Sequence, residues 1–405
     1  MRASHGLRVL SVYEGFFSGG ARIVHSDVVR GLAEGGQSHQ VLSIHGEVLR
    51  EATRQRMEDD HCYRELTAAG IGVTSLGRSA GLVDGALAAN AFSGPELAET
   101  ARAMAGADVI LSLKEQPLAL LNQAGLPRRP VVVALHRSDP ENQGPALDEL
   151  KAAIADGTVA ACVCCAESTR AAYEAAGIPA GLLHVIPNGV DLLRFRPDPA
   201  ARLALRTSLR IADRAPVVVF AARYAAMKNV PLLLRAARVW LAREGGGHLV
   251  MCGAGMTPGN PGLRADLADA FADAPALADR VRLLGVRHDM PAVYAAADVV
   301  ALTSVSGEAA PLCLIEGMMC GAVPVTTDVG DSAAIVTGLG FVTPPDPAAI
   351  ALTWSAAVAG RADLAPDLEA ARERFSRTRM IAAYAALLDR LHAEAAPAPS
   401  LPDPL

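Results

Sequence analysis

The chain has 405 residues, of which 51% are hydrophobic, 20% charged and 4% aromatic, and it carries a formal net charge of −6. Such a balance excludes a disordered chain and a basic nucleic-acid binder, and no apolar run reaches the ~18 residues that a membrane-spanning helix needs. The length is too great for one ordinary core, so two domains are the simplest division. The N-terminus passes from Met1 almost directly into a strand-like run, which makes the cytoplasm the expected compartment, with loose attachment to a membrane surface left open. Seven cysteines sit mostly in apolar runs and are read as reduced. Cys162 and Cys165 have CxxC spacing, but with no second pair or histidine cluster they are expected to be buried structural thiols rather than zinc or redox ligands.

Short β-branched runs alternate with Ala/Leu-rich stretches of helical length, the pattern of parallel βαβ units. Strands are predicted at 7–12, 40–44, 71–76, 108–113, 130–135 and 158–165. The series then restarts after Pro187-Asn188-Gly189-Val190-Asp191, with strands at 217–221, 248–252, 281–284, 298–302, 322–326 and 341–343. Two six-stranded α/β domains are expected: residues 1–190, and 191–375. A terminal helix follows at 376–394, with Tyr384, Leu387, Leu388 and Leu391 on one side, and then a Pro-rich tail, 395–405, read as disordered. Open parallel sheets bind ligands beyond the carboxyl ends of their strands, so the site is expected in a cleft between the two domains.

Three constellations carry chemistry. Ser18-Gly19-Gly20-Ala21 follows the first strand and opens a helix, and glycines there let backbone N–H groups approach an anion at the helix's positive end. Arg223 and Lys228 follow the first strand of the second half, where a planar fork and a point charge suit a diphosphate. Glu308 and Glu316 stand eight positions apart, and Glu316 lies in an apolar helical stretch where an acid normally requires a partner. A polar cluster, Ala134-Leu135-His136-Arg137-Ser138-Asp139, ends the fifth strand.

Taken in order, Gly19-Gly20-Ala21, Val185-Ile186-Pro187-Asn188-Gly189-Val190-Asp191, Arg223 with Lys228, Gly253-Ala254-Gly255, Asp289-Met290, Ala297-Asp298-Val299, the Glu308/Glu316 pair, Gly321-Ala322-Val323-Pro324-Val325 and Gly330 resemble the large family of retaining glycosyltransferases called family four. The resemblance covers about residues 7 to 390. It implies the GT-B fold, two doubly wound Rossmann-like domains facing across a cleft. The implied activity is metal-independent transfer of a sugar, most simply a hexose, from a nucleotide-diphosphate sugar to a small-molecule, glycan or lipid-linked acceptor, with no cofactor.

The resemblance also implies roles. Arg223 and Lys228 would hold the leaving diphosphate, and Gly19-Gly20 would close over it. Glu316 would bind the ribose; Glu308 and the backbone of Ala309, Ala310, Pro311 and Leu312 would meet the transferred sugar. Val286 and Arg287 lie where the base is read, His136 near the donor sugar, and Lys114 and Arg137 on the acceptor side. Two departures stand out: Asn229 replaces the usual glycine after the lysine, and no glycine follows Glu308. Alternatives are a GT-B sugar-nucleotide epimerase and a non-catalytic sugar-nucleotide-binding subunit. A dinucleotide oxidoreductase is disfavoured because Pro258 breaks the glycine fingerprint that begins at Gly253.

Overall fold

The computed structural model describes residues 6–16, 19–50, 53–80, 91–243 and 247–395. It divides into two compact units, one of residues 1–165, 172–186 and 380–405, the other of residues 166–171 and 187–379. The first holds β1 (Arg8–Tyr13), β2 (Ser38–Arg50), β3 (Thr53–Arg56), β4 (Gly72–Ala80), β5 (Val109–Leu113), β6 (Val131–Leu135), β7 (Val159–Cys164) and β8 (Leu183–Val185). Their order is β3-β2-β1-β5-β6-β7-β8, with β4 also on β2. The second holds β9 (Val217–Ala221), β10 (His248–Cys252), β11 (Val281–Leu283), β12 (Val299–Leu302), β13 (Val323–Thr326) and β14 (Phe341–Val342), in the order β11-β10-β9-β12-β13-β14. Both are doubly wound α/β sheets.

The strands form where β-branched residues run together and helices cover both faces. Val217, Val218, Val219 and Phe220 of β9 are all fully buried, as a central parallel strand requires. Each such side chain contributes about 1.5–3 kcal/mol when removed from water. On one face of the second sheet, Trp240 meets Trp354 edge-on, with ring centroids 5.9 Å apart. At the sheet's amino end, Asp298 collects three arginines. Its Oδ1 accepts from Arg202 (2.6 Å) and Arg361 (3.1 Å), and its Oδ2 from Arg206 (2.8 Å) and the Val217 N–H (2.8 Å).

Three expectations need correction. Among the described residues the first sheet has eight strands rather than six. Thr53–Arg56 is an antiparallel edge strand of polar residues, and Leu183–Val185 is only three residues long, so neither shows an apolar run. The terminal helix, Arg377–Ala395, does not stand apart: from Met380 it belongs to the first unit, because Tyr384, Leu387 and Leu388 are buried. The unit boundary falls between Ile186 and Pro187, not at 190. The expected disordered tail lies outside the described residues except for Ala395, and so does Ser18.

Candidate functional site

In each sheet the strand order reverses beside the first strand, between β9 and β12 in the second unit and between β1 and β5 in the first. Ligands of open α/β sheets bind at such switch points, beyond the carboxyl ends. The loops after β9 and β12 meet there. Val305 N–H donates to the Met227 carbonyl (2.9 Å) and the Thr303 hydroxyl to the Lys228 carbonyl (3.0 Å). Lys228 then donates its ammonium to Glu308 Oε1, to which the buried Ser304 hydroxyl also donates at 2.5 Å. Among the described residues nothing donates to Glu308 Oε2. The structure therefore brings together Lys228 and Glu308, singled out on separate motifs 80 positions apart. Arg223 sits one turn before, its guanidinium making only a weak bond to the Met227 thioether, at 3.6 Å.

Asn229 explains its own departure from the family pattern. Its φ is +48°, in the left-handed region where glycine is easiest and asparagine the best-tolerated alternative. The turn that carries Lys228 into the helix Val230–Arg243 thus favours one of the two.

Glu316 lies two-thirds of the way along the helix Leu312–Met319 and is half-buried. The hydroxyl of Tyr294, itself fully buried, donates to its carboxylate. Burial first, and then the Glu316 charge, hold the Tyr294 hydroxyl protonated well beyond its usual range. Tyr294 was missed because a single tyrosine in Met290–Ala295 reads as core; only its tertiary partner marks it. Glu316's helix is pressed onto β12 at Gly317, where a Cβ would come within 2.6 Å of Val300. Cys252 and Cys313 are neighbours of this carboxylate, and burial pushes both thiols up to about 12, so they stay neutral.

The expected base-reading segment follows β11. Val286 is 60% exposed, and Arg287 is forked onto Asp289 (2.7 and 2.5 Å). The segment is tied to the turn after β10 by the Gly253 N–H, which donates to Gly285 O at 2.7 Å. Gly253 fits only as glycine, with φ +132° and a Cβ that would lie 2.1 Å from Ala222 O.

In the first unit, Gly19 and Gly20 are exposed at the start of the helix Gly20–Glu34, which has no side-chain cap among the described residues. Lys114 follows β5 with φ +67°, strained for a lysine, and its N–H donates to the Ala134 carbonyl of β6 (3.0 Å). His136 follows β6. Burial, aided by the Lys114 charge, pulls its pKa down to about 3, so the ring is neutral, and among the described residues its Nε2 has no partner. Arg137 is forked onto Asp139 (2.6 and 2.5 Å). Two residues not anticipated join this group. His25 is buried, within electrostatic reach of His136, and among the described residues neither ring nitrogen is paired. Glu115 is 2% exposed, its Oε1 has no partner among the described residues, and burial raises its carboxyl to about 7.

No helix among the described residues is long and apolar enough to cross a membrane. The family described as Glycosyl transferases group 1 matches residues 215–359, and Glycosyltransferase Family 4 matches residues 18–194. A D-inositol 3-phosphate glycosyltransferase of Nocardia farcinica is 34% identical over 41% of this chain and 36% of that protein. A GDP-mannose-dependent alpha-(1-6)-phosphatidylinositol monomannoside mannosyltransferase of Mycobacterium tuberculosis is 37% identical over 33% of each. The alignments thus span about a third of the length of these relatives. Among solved structures, Anabaena HepE in complex with UDP-glucose is 22% identical, with TM-score 0.77 over 95% of this chain and 100% of that one. Sucrose-phosphate synthase of Thermosynechococcus elongatus is 19% identical, with TM-score 0.70 over 96% and 100%. These likenesses show the GT-B fold. With both family descriptions matched in order across most of its length, the chain belongs to the group 1, or family four, glycosyltransferases.

Proposed function

We propose that the protein is a retaining glycosyltransferase that moves a sugar, most simply a hexose, from a nucleotide-diphosphate donor to a hydroxyl acceptor without a metal ion. The observation that carries this reading is the Lys228–Glu308–Ser304 cluster at the switch point of the second sheet. Lys228, with Arg223 beside it, supplies positive charge for a diphosphate as it departs, where stabilisation of developing charge is the largest catalytic effect available. Glu308 Oε2 accepts from hydroxyls of the transferred sugar, and Glu316 from the ribose. Gly19-Gly20 and the base-reading segment Val286-Arg287 complete donor binding, and the neutral His136 offers an imidazole nitrogen to the sugar. Lys114 and Arg137 take the acceptor side. Cytoplasmic residence belongs to the same reading.

The relatives named above support a UDP- or GDP-linked donor. The test is incubation with UDP-glucose or GDP-mannose and a panel of small-molecule, glycan and lipid-linked acceptors, in EDTA. Release of nucleoside diphosphate, with a product that keeps the donor's anomeric configuration by NMR, is expected. Inversion would remove the retaining assignment. Activity lost in EDTA and restored by Mg²⁺ would remove the cation-clamp assignment, and donor conversion without an acceptor would favour an epimerase.

A further inference from the structure

The Pro187-Asn188-Gly189-Val190-Asp191 motif helps to identify the family, yet nothing above gives it work. Its geometry does. Val190 forms a parallel bridge with Ser376: its N–H donates to Phe375 O (2.8 Å) and its carbonyl accepts from Arg377 N–H (2.9 Å). Gly189 permits this close crossing, since a Cβ there would lie 2.3 Å from Ser376 O. Asp191 caps the next turn through the N–H groups of Leu193 (2.9 Å) and Arg194 (3.2 Å). Asn188 is thereby anchored from both sides and 5% exposed, and its side-chain N–H donates to the Ala310 carbonyl at 3.0 Å.

Ala310 lies in the loop 306–311 that follows β12 and carries Glu308. The same loop is gripped from a second direction. Asp331 N–H donates to Ala309 O at 2.8 Å. Gly330, at φ +60°, packs so closely that a Cβ would meet Glu308 O at 2.3 Å and Ala309 O at 2.9 Å. Asp331 is itself fixed, because its carboxylate accepts from the N–H groups of Glu167 (2.9 Å) and Ser168 (2.8 Å). Three successive carbonyls, of residues 308, 309 and 310, are therefore constrained. In a planar trans peptide the N–H of the following residue points opposite to the carbonyl. The N–H groups of Ala309 and Ala310 are thus turned away from the Gly330–Asp331 turn, and among the described residues neither has an acceptor.

We propose that Asn188 and the Gly330–Asp331 turn are positioning residues for sugar recognition: they set the carbonyls of loop 306–311 so that Glu308 and the Ala309 and Ala310 N–H groups face the donor's sugar. This rests on the glycosyltransferase reading and adds to it a second layer that never touches the substrate. The loop is preorganised by backbone contacts that cost nothing when the donor arrives.

The test compares binding of a nucleotide sugar with binding of its bare nucleoside diphosphate, using UDP-glucose with UDP and GDP-mannose with GDP. Asn188→Asp keeps size and removes the N–H donors; Gly330→Ala reaches the same loop from the other side. Each variant is expected to bind the nucleotide sugar about tenfold or more weakly than the wild type, while affinity for the nucleoside diphosphate changes less than about threefold. A merely structural role predicts a lowered Tm with nucleotide and nucleotide sugar weakened alike, and that outcome overturns the proposal. So does wild-type affinity for the nucleotide sugar in both folded variants. Failure of the wild-type protein to bind any of the four ligands overturns the glycosyltransferase reading instead, so the two failures are distinguishable.

Discussion

The two ends of the second sheet are built from the same residue types and behave oppositely. At the amino end, Arg206 is wholly buried and every guanidinium nitrogen is used: Nε on Ala296 O, Nη1 on Asp213 O and Ala215 O, Nη2 on Asp298. At the carboxyl end, Arg223 has one weak bond to a thioether, and Lys228 shares a single carboxylate oxygen with Ser304. Buried charge that is fully hydrogen-bonded locks a fold; charge held at a strand end with bonding capacity to spare is available to a ligand. The position relative to the sheet, not the presence of Arg and Asp, separates the two.

Breaking each end should therefore injure different properties. The largest effect is expected for Asp298→Ala, which strands three arginines and should cost about 3–5 kcal/mol of stability by denaturant unfolding. Donor KM in the surviving folded fraction should be unchanged; a large rise in KM would erase the distinction. Lys228→Ala should reverse the pattern, lowering kcat by about 10²–10³ with a smaller loss of stability than at Asp298. The glutamates should differ from one another. Glu308→Gln is expected to lower kcat and Glu316→Gln to raise donor KM, each by about 1.5–3 kcal/mol, or roughly ten- to hundred-fold. If Glu316→Gln lowered Tm and left KM intact, Tyr294 would be its whole purpose.

The smallest effect lies in the first unit and sharpens the same contrast. Glu115 is an acid just beyond a strand end, its Oε1 has no partner among the described residues, and its folded pKa of about 7 stands above the ordinary carboxyl value of 4.5. A raised carboxyl pKa means that the folded state holds the proton more tightly. Stability is then fully present below about pH 4.5 and declines as pH rises through 7. Glu115→Gln should raise Tm by a few degrees at pH 8 and leave it unchanged at pH 5. An equal gain at both values would show that the carboxyl's charge is not what costs stability there.

The strands were legible wherever β-branched residues run together, as in Val131–Leu135 or Val217–Ala221, because a central parallel strand must be apolar on both faces. Thr53–Arg56 was not legible, since an edge strand that faces water can be entirely polar. In the candidate site, Arg223, Lys228, Glu308 and Glu316 were singled out through their order along a family pattern, and folding brings Lys228 onto Glu308. Ser304, Tyr294, His25 and Glu115 were not. Each is an ordinary residue for its segment and acquires meaning only from a neighbour brought near by folding: Glu308, Glu316, His136, or an apolar surrounding. Asn188 is a middle case, visible as a motif but mute about its partner, Ala310.

Gly317 has a wider consequence. Its missing Cβ allows the helix Leu312–Met319 to rest directly on Val300 of β12, so it acts as a gauge block between helix and sheet. Glu308 hangs from the loop after that strand, whereas Glu316 rides on the helix, and the thickness of this one contact sets the height of one carboxylate above the other. A single added carbon, which would sit 2.6 Å from Val300, lifts the helix and rescales the span between the two carboxylates. Because a misplacement of about 1 Å in a catalytic site can cost on the order of 10²-fold in rate, the spacing of these two acids is written in an atom that is not there.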